Sequence, residues 1–201
     1  MPRRAAPRCA VIALVLGTAM VVGPPQALAA SVSIVDFAFR PRVVTIGQGE
    51  SVIWTNAGDR AHTATQDGPL RFWDTGRIAP GDFGEVDQGI LVAAGTYRYH
   101  CSIHPSMTGA VKVPTGVSPS SGTTKTVFTL TLSSNAQDGY VYDVQERKGD
   151  GAWQTYRNRI ARTTTTFQAS SAGTYAFRSR LHRRSSDATS GWSPAATISV
   201  S

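Results

Sequence analysis

Gly95-Thr-Tyr-Arg-Tyr-His-Cys101 runs straight into Ser102-Ile-His-Pro-Ser-Met107, and on this stretch the reading of the chain turns. Its first part alternates Tyr97, Tyr99 and Cys101 against Arg98 and His100, which is the period of a strand with one face turned inward. Cys101 closes that strand, and the chain returns through Gly109 into a second one, Gly109–Val113. The loop between them carries a thiol, an imidazole and a thioether at Cys101, His104 and Met107, in a Cys-x2-His-x2-Met spacing. A second imidazole, His62, comes earlier, in Ala61-His-Thr-Ala-Thr65. A soft thiolate, two imidazoles and a weak thioether suit copper cycling between its two oxidation states. Zinc more often takes four strong nitrogen, sulfur or carboxylate ligands. Three donors on a loop gripped by two strands, closed by His62 from another loop, would hold still during electron transfer.

The same strand pattern extends outward. Helical periodicity is nearly absent, and short runs rich in Val, Ile, Thr, Tyr and Phe alternate with Gly, Pro, Asn and Asp clusters. That is how all-β sandwich domains read. Strands are expected near 32–36, 43–46, 51–55, 82–86, 95–101 and 109–113. After Pro114-Thr-Gly-Val-Ser-Pro-Ser-Ser-Gly-Thr-Thr124, a Pro, Gly, Ser and Thr stretch read as a linker, they resume near 126–132, 140–147, 163–168, 173–181 and 195–200.

Residues 1–29 read as a secretory signal peptide. Arg3, Arg4 and Arg8 precede an apolar run from Cys9 to Gly23, Pro24 and Pro25 break it, and Ala27-Leu-Ala29 offers a cleavage site. The run is too short to span a membrane, so an exported mature chain without a membrane span is expected. Cleavage would leave Cys101 as the sole cysteine, in a compartment where paired cysteines oxidise to disulfides. An unpaired exported thiol is buried and inert, bridged to another chain, or metal-bound; His104 and Met107 beside it favour the metal.

At this point residues 31–113 resemble a small type 1 copper protein of the cupredoxin family, closest to amicyanin and plastocyanin. Beyond the ligand loop, the resemblance rests on Asp36-Phe-Ala-Phe-Arg-Pro41, Gly49-Glu-Ser-Val-Ile-Trp-Thr-Asn56, His62-Thr63, Asp74-Thr-Gly76 and Gly95–Cys101. It implies a Greek-key β-sandwich over 30–113 holding one copper ion. His62, Cys101 and His104 would be equatorial ligands and Met107 the axial one. Asn56 matches the position whose side chain ties the two ligand loops together. The short loop is of the amicyanin kind. His100 points away from Cys101 on the strand and reads as a near-surface histidine; no His-x-His pair supplies a trinuclear copper site.

Residues 125–201 resemble a fibronectin type III module, an immunoglobulin-like sandwich, through Tyr140–Arg147, Trp153, Gly173–Arg180 and Gly191-Trp-Ser-Pro194. Charge is uneven: Lys and Arg against Asp and Glu are 7 to 8 over 31–116 but 10 to 5 over 117–201. The basic half, with Arg180, His182, Arg183 and Arg184 as its densest cluster, suits an anionic cell-envelope polymer; a solvated face accounts for it without a ligand. The excess is too small to argue nucleic-acid binding. No catalytic base or triad stands out, so the expectation is a non-enzymatic carrier passing single electrons to or from a partner protein. The alternative is a module that buffers or delivers copper. A redox partner would meet the edge of His104, within an apolar patch of Met107, Pro105 and the Pro69-Leu70 loop.

Overall fold

The computed structural model describes residues 29–201, so all but the last residue of the expected signal peptide lies outside the described residues. Every regular element among them is a strand, and no helix is long and apolar enough to cross a membrane.

The first half is two facing sheets. One runs β2 (Ala38–Arg40), β1 (Ala30–Val35), β4 (Val52–Asn56) and β6 (Phe83–Val86), with β1 and β4 parallel. The other runs β3 (Val43–Thr45), β8 (Thr108–Val113), β7 (Gly95–His100) and β5 (Thr65–Gln66), with β3 and β8 parallel. Alternation turns Val32, Ile34, Val52 and Trp54 inward from the first sheet, and Tyr97, Tyr99, Val111 and Val113 from the second. All eight are essentially buried, each worth about 1.5–3 kcal/mol or more of apolar burial. Tyr99 is packed edge-on against Phe39 and Trp54, at ring separations of 4.8 and 5.2 Å. The strands β2 and β5 escaped the sequence pattern because two or three residues are too few to show a period.

The second half is a second sandwich with its own core of Phe128, Leu130, Tyr142, Val144, Phe177 and Ile198, among others. Its three-stranded sheet runs β14 (Thr164–Gln168), β11 (Val127–Thr131), β9 (Gly116–Ser118). Its five-stranded sheet runs β10 (Ser121–Gly122), β16 (Ala196–Val200), β15 (Gly173–Arg183), β12 (Tyr140–Lys148), β13 (Gln154–Ile160). Residues 114–124, read from composition as a linker, hold two short strands. β9 pairs with β11 and β10 with β16, so the stretch feeds one short strand to each sheet. Its poverty in apolar residues reflects edge positions where backbone hydrogen bonds hold the chain, not the absence of structure. β13 was also unforeseen, because Gln154-Thr-Tyr-Arg-Asn-Arg-Ile160 is mostly polar on an exposed edge.

The halves are joined along β7. Thr96 and Gly191 exchange N–H···O bonds of 2.9 Å in both directions, and the Thr96 hydroxyl donates to the Trp192 carbonyl at 2.7 Å. Ala94 N–H donates to Leu132 O, Arg183 Nη2 donates to Leu70 O, and Phe72 packs against both Tyr97 and Tyr140.

Candidate metal centre

Cys101 follows the last residue of β7 and is fully buried. The loop beyond it closes on itself. His104 N–H donates to Cys101 O (3.1 Å), Met107 N–H to His104 O (2.9 Å), and Cys101 N–H to Met107 O (3.0 Å). These nested turns hold the three donor-bearing residues in one closed loop. On the opposite loop His62 exchanges backbone hydrogen bonds with Ile78, at 3.1 and 2.8 Å, so its side chain is also pinned from the backbone.

The donor atoms converge. His62 Nδ1 and His104 Nδ1 each stand 3.7 Å from Cys101 Sγ and 3.2 Å from one another. The three groups form a cluster whose ligand atoms lie within 4.8 Å. His62 is fully buried, whereas His104 is only half-buried and reaches the surface. Burial, then the charge of His104, pushes the His62 imidazole below its ordinary pKa, against the opposing pull of Asp36. A neutral imidazole is the form that ligates. Its far nitrogen, Nε2, has no hydrogen-bond partner and sits 3.7 Å from the Asp36 carboxylate. Met107 is buried in the same core cluster as Cys101 and Tyr99. The donor set therefore fits copper: one free thiol, two imidazoles presenting Nδ1, and a thioether carried by the same closed loop.

Two expectations about the surroundings change. Asn56 is fully buried, but its amide donates to Arg60 O (2.7 Å) and Ile78 O (3.1 Å) and its oxygen accepts from Gly58 N–H (3.1 Å). It braces the His62 loop and makes no bond to the Cys101 loop. Thr63 joins the two. Its N–H points at Cys101 Sγ (3.3 Å), its hydroxyl accepts from Ser102 N–H (2.8 Å), and Ser102 Oγ reaches Thr65 Oγ1 (2.9 Å). Sequence offered only the adjacency of Thr63 to His62 as a hint. Leu70 offers no surface to the rim, being buried with its carbonyl accepting from Arg183 of the second half, while Pro69 beside it is exposed. Met107 lies beneath the rim, whose exposed apolar side chains are Phe37, Ile103 and Pro105. Phe37, unforeseen here, stands edge-on to His104 at 5.0 Å and to His62 at 6.3 Å. His100 hydrogen-bonds the Asp67 carboxylate and stays outside the donor cluster.

Residues 26–114 match the family model of copper binding proteins, plastocyanin/azurin family, and the first half has the cupredoxin fold. Among solved structures, the chain is similar to a purple cupredoxin from Nitrosopumilus maritimus, at 24% identity and TM-score 0.38, over 42% of this chain and 98% of that one. It is also similar to a reduced amicyanin variant, at 26% identity and TM-score 0.37, over 42% of this chain and 81% of that one. No curated protein matches the chain. The family match and the His62, Cys101 and His104 cluster together support copper binding and electron transfer in general.

Proposed function

We propose that the protein is an exported carrier of single electrons that holds one copper ion between His62, Cys101, His104 and Met107. The observation that carries the reading is the convergence of two Nδ1 atoms on a buried, unpaired thiol, on loops already fixed by their own backbone bonds. Bound copper would supply a one-electron couple. The chain's residues supply the rest. Cys101 gives the sulfur, met by the Thr63 N–H, and the nested loop and the Asn56 brace keep the donors from rearranging. His104, half-exposed behind Phe37 and Ile103, offers the short path to a partner protein docking on that apolar rim. In this reading residues 1–29 direct export and 30–113 form the copper domain. Residues 125–201 form a fibronectin type III-like domain whose basic surface keeps the carrier near an anionic envelope polymer.

The test is to add one equivalent of Cu(II) to residues 30–201 and record the visible spectrum and voltammogram. An intense thiolate-to-copper absorption with a reversible one-electron couple is expected. Tight colourless Cu(I) binding without a couple would instead mean buffering or delivery. Absorption unchanged by Cys101→Ser would overturn both readings.

A further inference from the structure

The outer face of the five-stranded sheet stacks its cations in an unusual way. Outward positions of β12 carry Asp143, Gln145 and Arg147, and those of β15 carry Arg178, Arg180 and His182, with Asp143 opposite Arg180 and Gln145 opposite Arg178. Two indoles fill the spaces between guanidiniums. Arg147 and Arg178 lie over Trp153 at 4.8 and 4.3 Å, and Arg178 and Arg180 over Trp192 at 5.0 and 4.5 Å. The sequence Arg147–Trp153–Arg178–Trp192–Arg180 is therefore one continuous stack. On the neighbouring strand Arg157 lies over Tyr156 at 4.1 Å.

Negative charge does not match it. Asp143 is the one carboxylate bonded on this face, and it is already engaged by Arg180 Nε (2.9 Å), His182 Nδ1 (3.2 Å) and Arg159 N–H (3.0 Å). Among the described residues Arg147, Arg157 and Arg178 have no carboxylate within ion-pair distance. Arg178 instead donates twice to the neutral Gln145 amide oxygen, and Arg147 Nε has no acceptor at all. Burial, then the charges of Arg147 and Arg180, depresses the basicity of Arg178, as expected of like charges held together without an anion. Three residues of the basic cluster that sequence singled out already have partners. Arg180 and His182 bind Asp143, and Arg183 binds Leu70 O. The available charge sits further along the sheet.

We propose that this face binds a carboxylate-bearing glycan. Among the described residues Arg147 and Arg178 have no carboxylate of their own, and a guanidinium in that state is the group that takes one up. Beside the stack, a groove lined by Gln145, Thr155, Asn158, Arg157, Arg180 and Trp192 mixes amides and a hydroxyl with cations, the combination that recognises sugar hydroxyls next to an acid group; the Asp143 carboxylate also lines it, but is taken up by Arg180 and His182. Both indoles have guanidiniums over their rings, so they offer no open platform for stacking bases, which single-stranded nucleic acid would use.

Titration of residues 30–201 with polygalacturonate oligomers, followed by tryptophan fluorescence and calorimetry, tests the assignment. Binding that weakens as salt rises is expected, with about tenfold loss in Arg147→Gln/Arg157→Gln. The control Lys125→Gln/Arg162→Gln removes equal charge from exposed sites off the stack and is expected to leave affinity within about twofold. Equal loss in the control, equal binding of neutral dextran, or no binding to polygalacturonate overturns the proposal. Tighter binding of single-stranded DNA overturns it in favour of a nucleic acid. The single variant Arg157→Gln, at an exposed position, covers the case in which the double variant fails to fold. The copper spectrum and couple of these variants are expected to match the unsubstituted protein, so this assignment and the copper reading can fail separately.

Discussion

Gly109→Ala tests whether the copper loop is held from below by a single aromatic ring. Gly109 pairs with Tyr99 across β7 and β8, two residues past Met107 and two before Cys101 respectively. A Cβ at Gly109 would lie 2.3 Å from Tyr99 Cζ, 2.5 Å from its hydroxyl and 2.8 Å from Cε1. Carbon atoms prefer about 3.5–4.0 Å, so the ring would have to retreat by more than 1 Å. It has nowhere to go, being fully buried between Phe39, Trp54 and Trp73. Overpacking of this kind costs about 1–3 kcal/mol, and the trapped ring places this site at the upper end. A thermal melt of the apo protein should fall by roughly 2–4 °C per kcal/mol if both halves unfold together. The decisive measurement is a double-mutant cycle with Tyr99→Leu, which removes all three clashing atoms. In that background Gly109→Ala should cost less than about 1 kcal/mol. Tyr99→Phe should not rescue, because Cζ remains. Equal costs of Gly109→Ala beside Tyr99 and beside Leu at 99 would refute the argument.

The other expectations concern the ligands, the loop junction and the second half. Cys101→Ser should abolish the intense visible copper absorption while leaving the fold intact by circular dichroism, whereas Met107→Leu should keep the absorption and shift the potential. Thr63→Val removes the acceptor of Ser102 N–H but not the backbone donor to Cys101 Sγ. Denaturant titration should show a loss of about 1 kcal/mol with the copper absorption retained. Burial works to raise the Asp143 pKa, but hydrogen bonds from Arg159 N–H, Arg180 and His182 outweigh it and hold the carboxyl below its usual range. Its contribution is therefore fully present above the unfolded value, about 3.9, and is lost as pH falls through the lower folded value. Asp143→Asn should destabilise the protein by about 2–3 kcal/mol at pH 7 and narrow the stability difference between pH 7 and pH 3; an unchanged pH profile would count against the ion cluster.

The legible part of the fold was the part with apolar alternation. β7 and β8 each bury one face, so their period shows in the sequence, and β12 and β15 are long enough to show their apolar runs. β9, β10 and β13 are short or polar edge strands, specified by backbone pairing that composition does not record. The donors were legible because metal chemistry demands rare residue types at close spacing. Their supports were not. Thr63 acts partly through its N–H, which every residue but proline possesses, and Phe37 reaches His104 only because its backbone adopts φ 65. Leu70 looked like a rim residue until Arg183 of the second half was found bonded to its carbonyl.

The two-way bond between Thr96 and Gly191 has a consequence for the copper half taken alone. β5 covers β7 only at Tyr99 and His100, leaving the stretch from Gly95 to Arg98 as an open border of its sheet. Asp67 N–H reaches Arg98 O, and Gly191 with Trp192 occupies Thr96. Bare borders of this sort recruit strands from other molecules. A fragment ending at residue 113 would therefore meet its neighbours through Thr96 and self-associate, and the second half acts as the guard that keeps the copper-bearing sheet single.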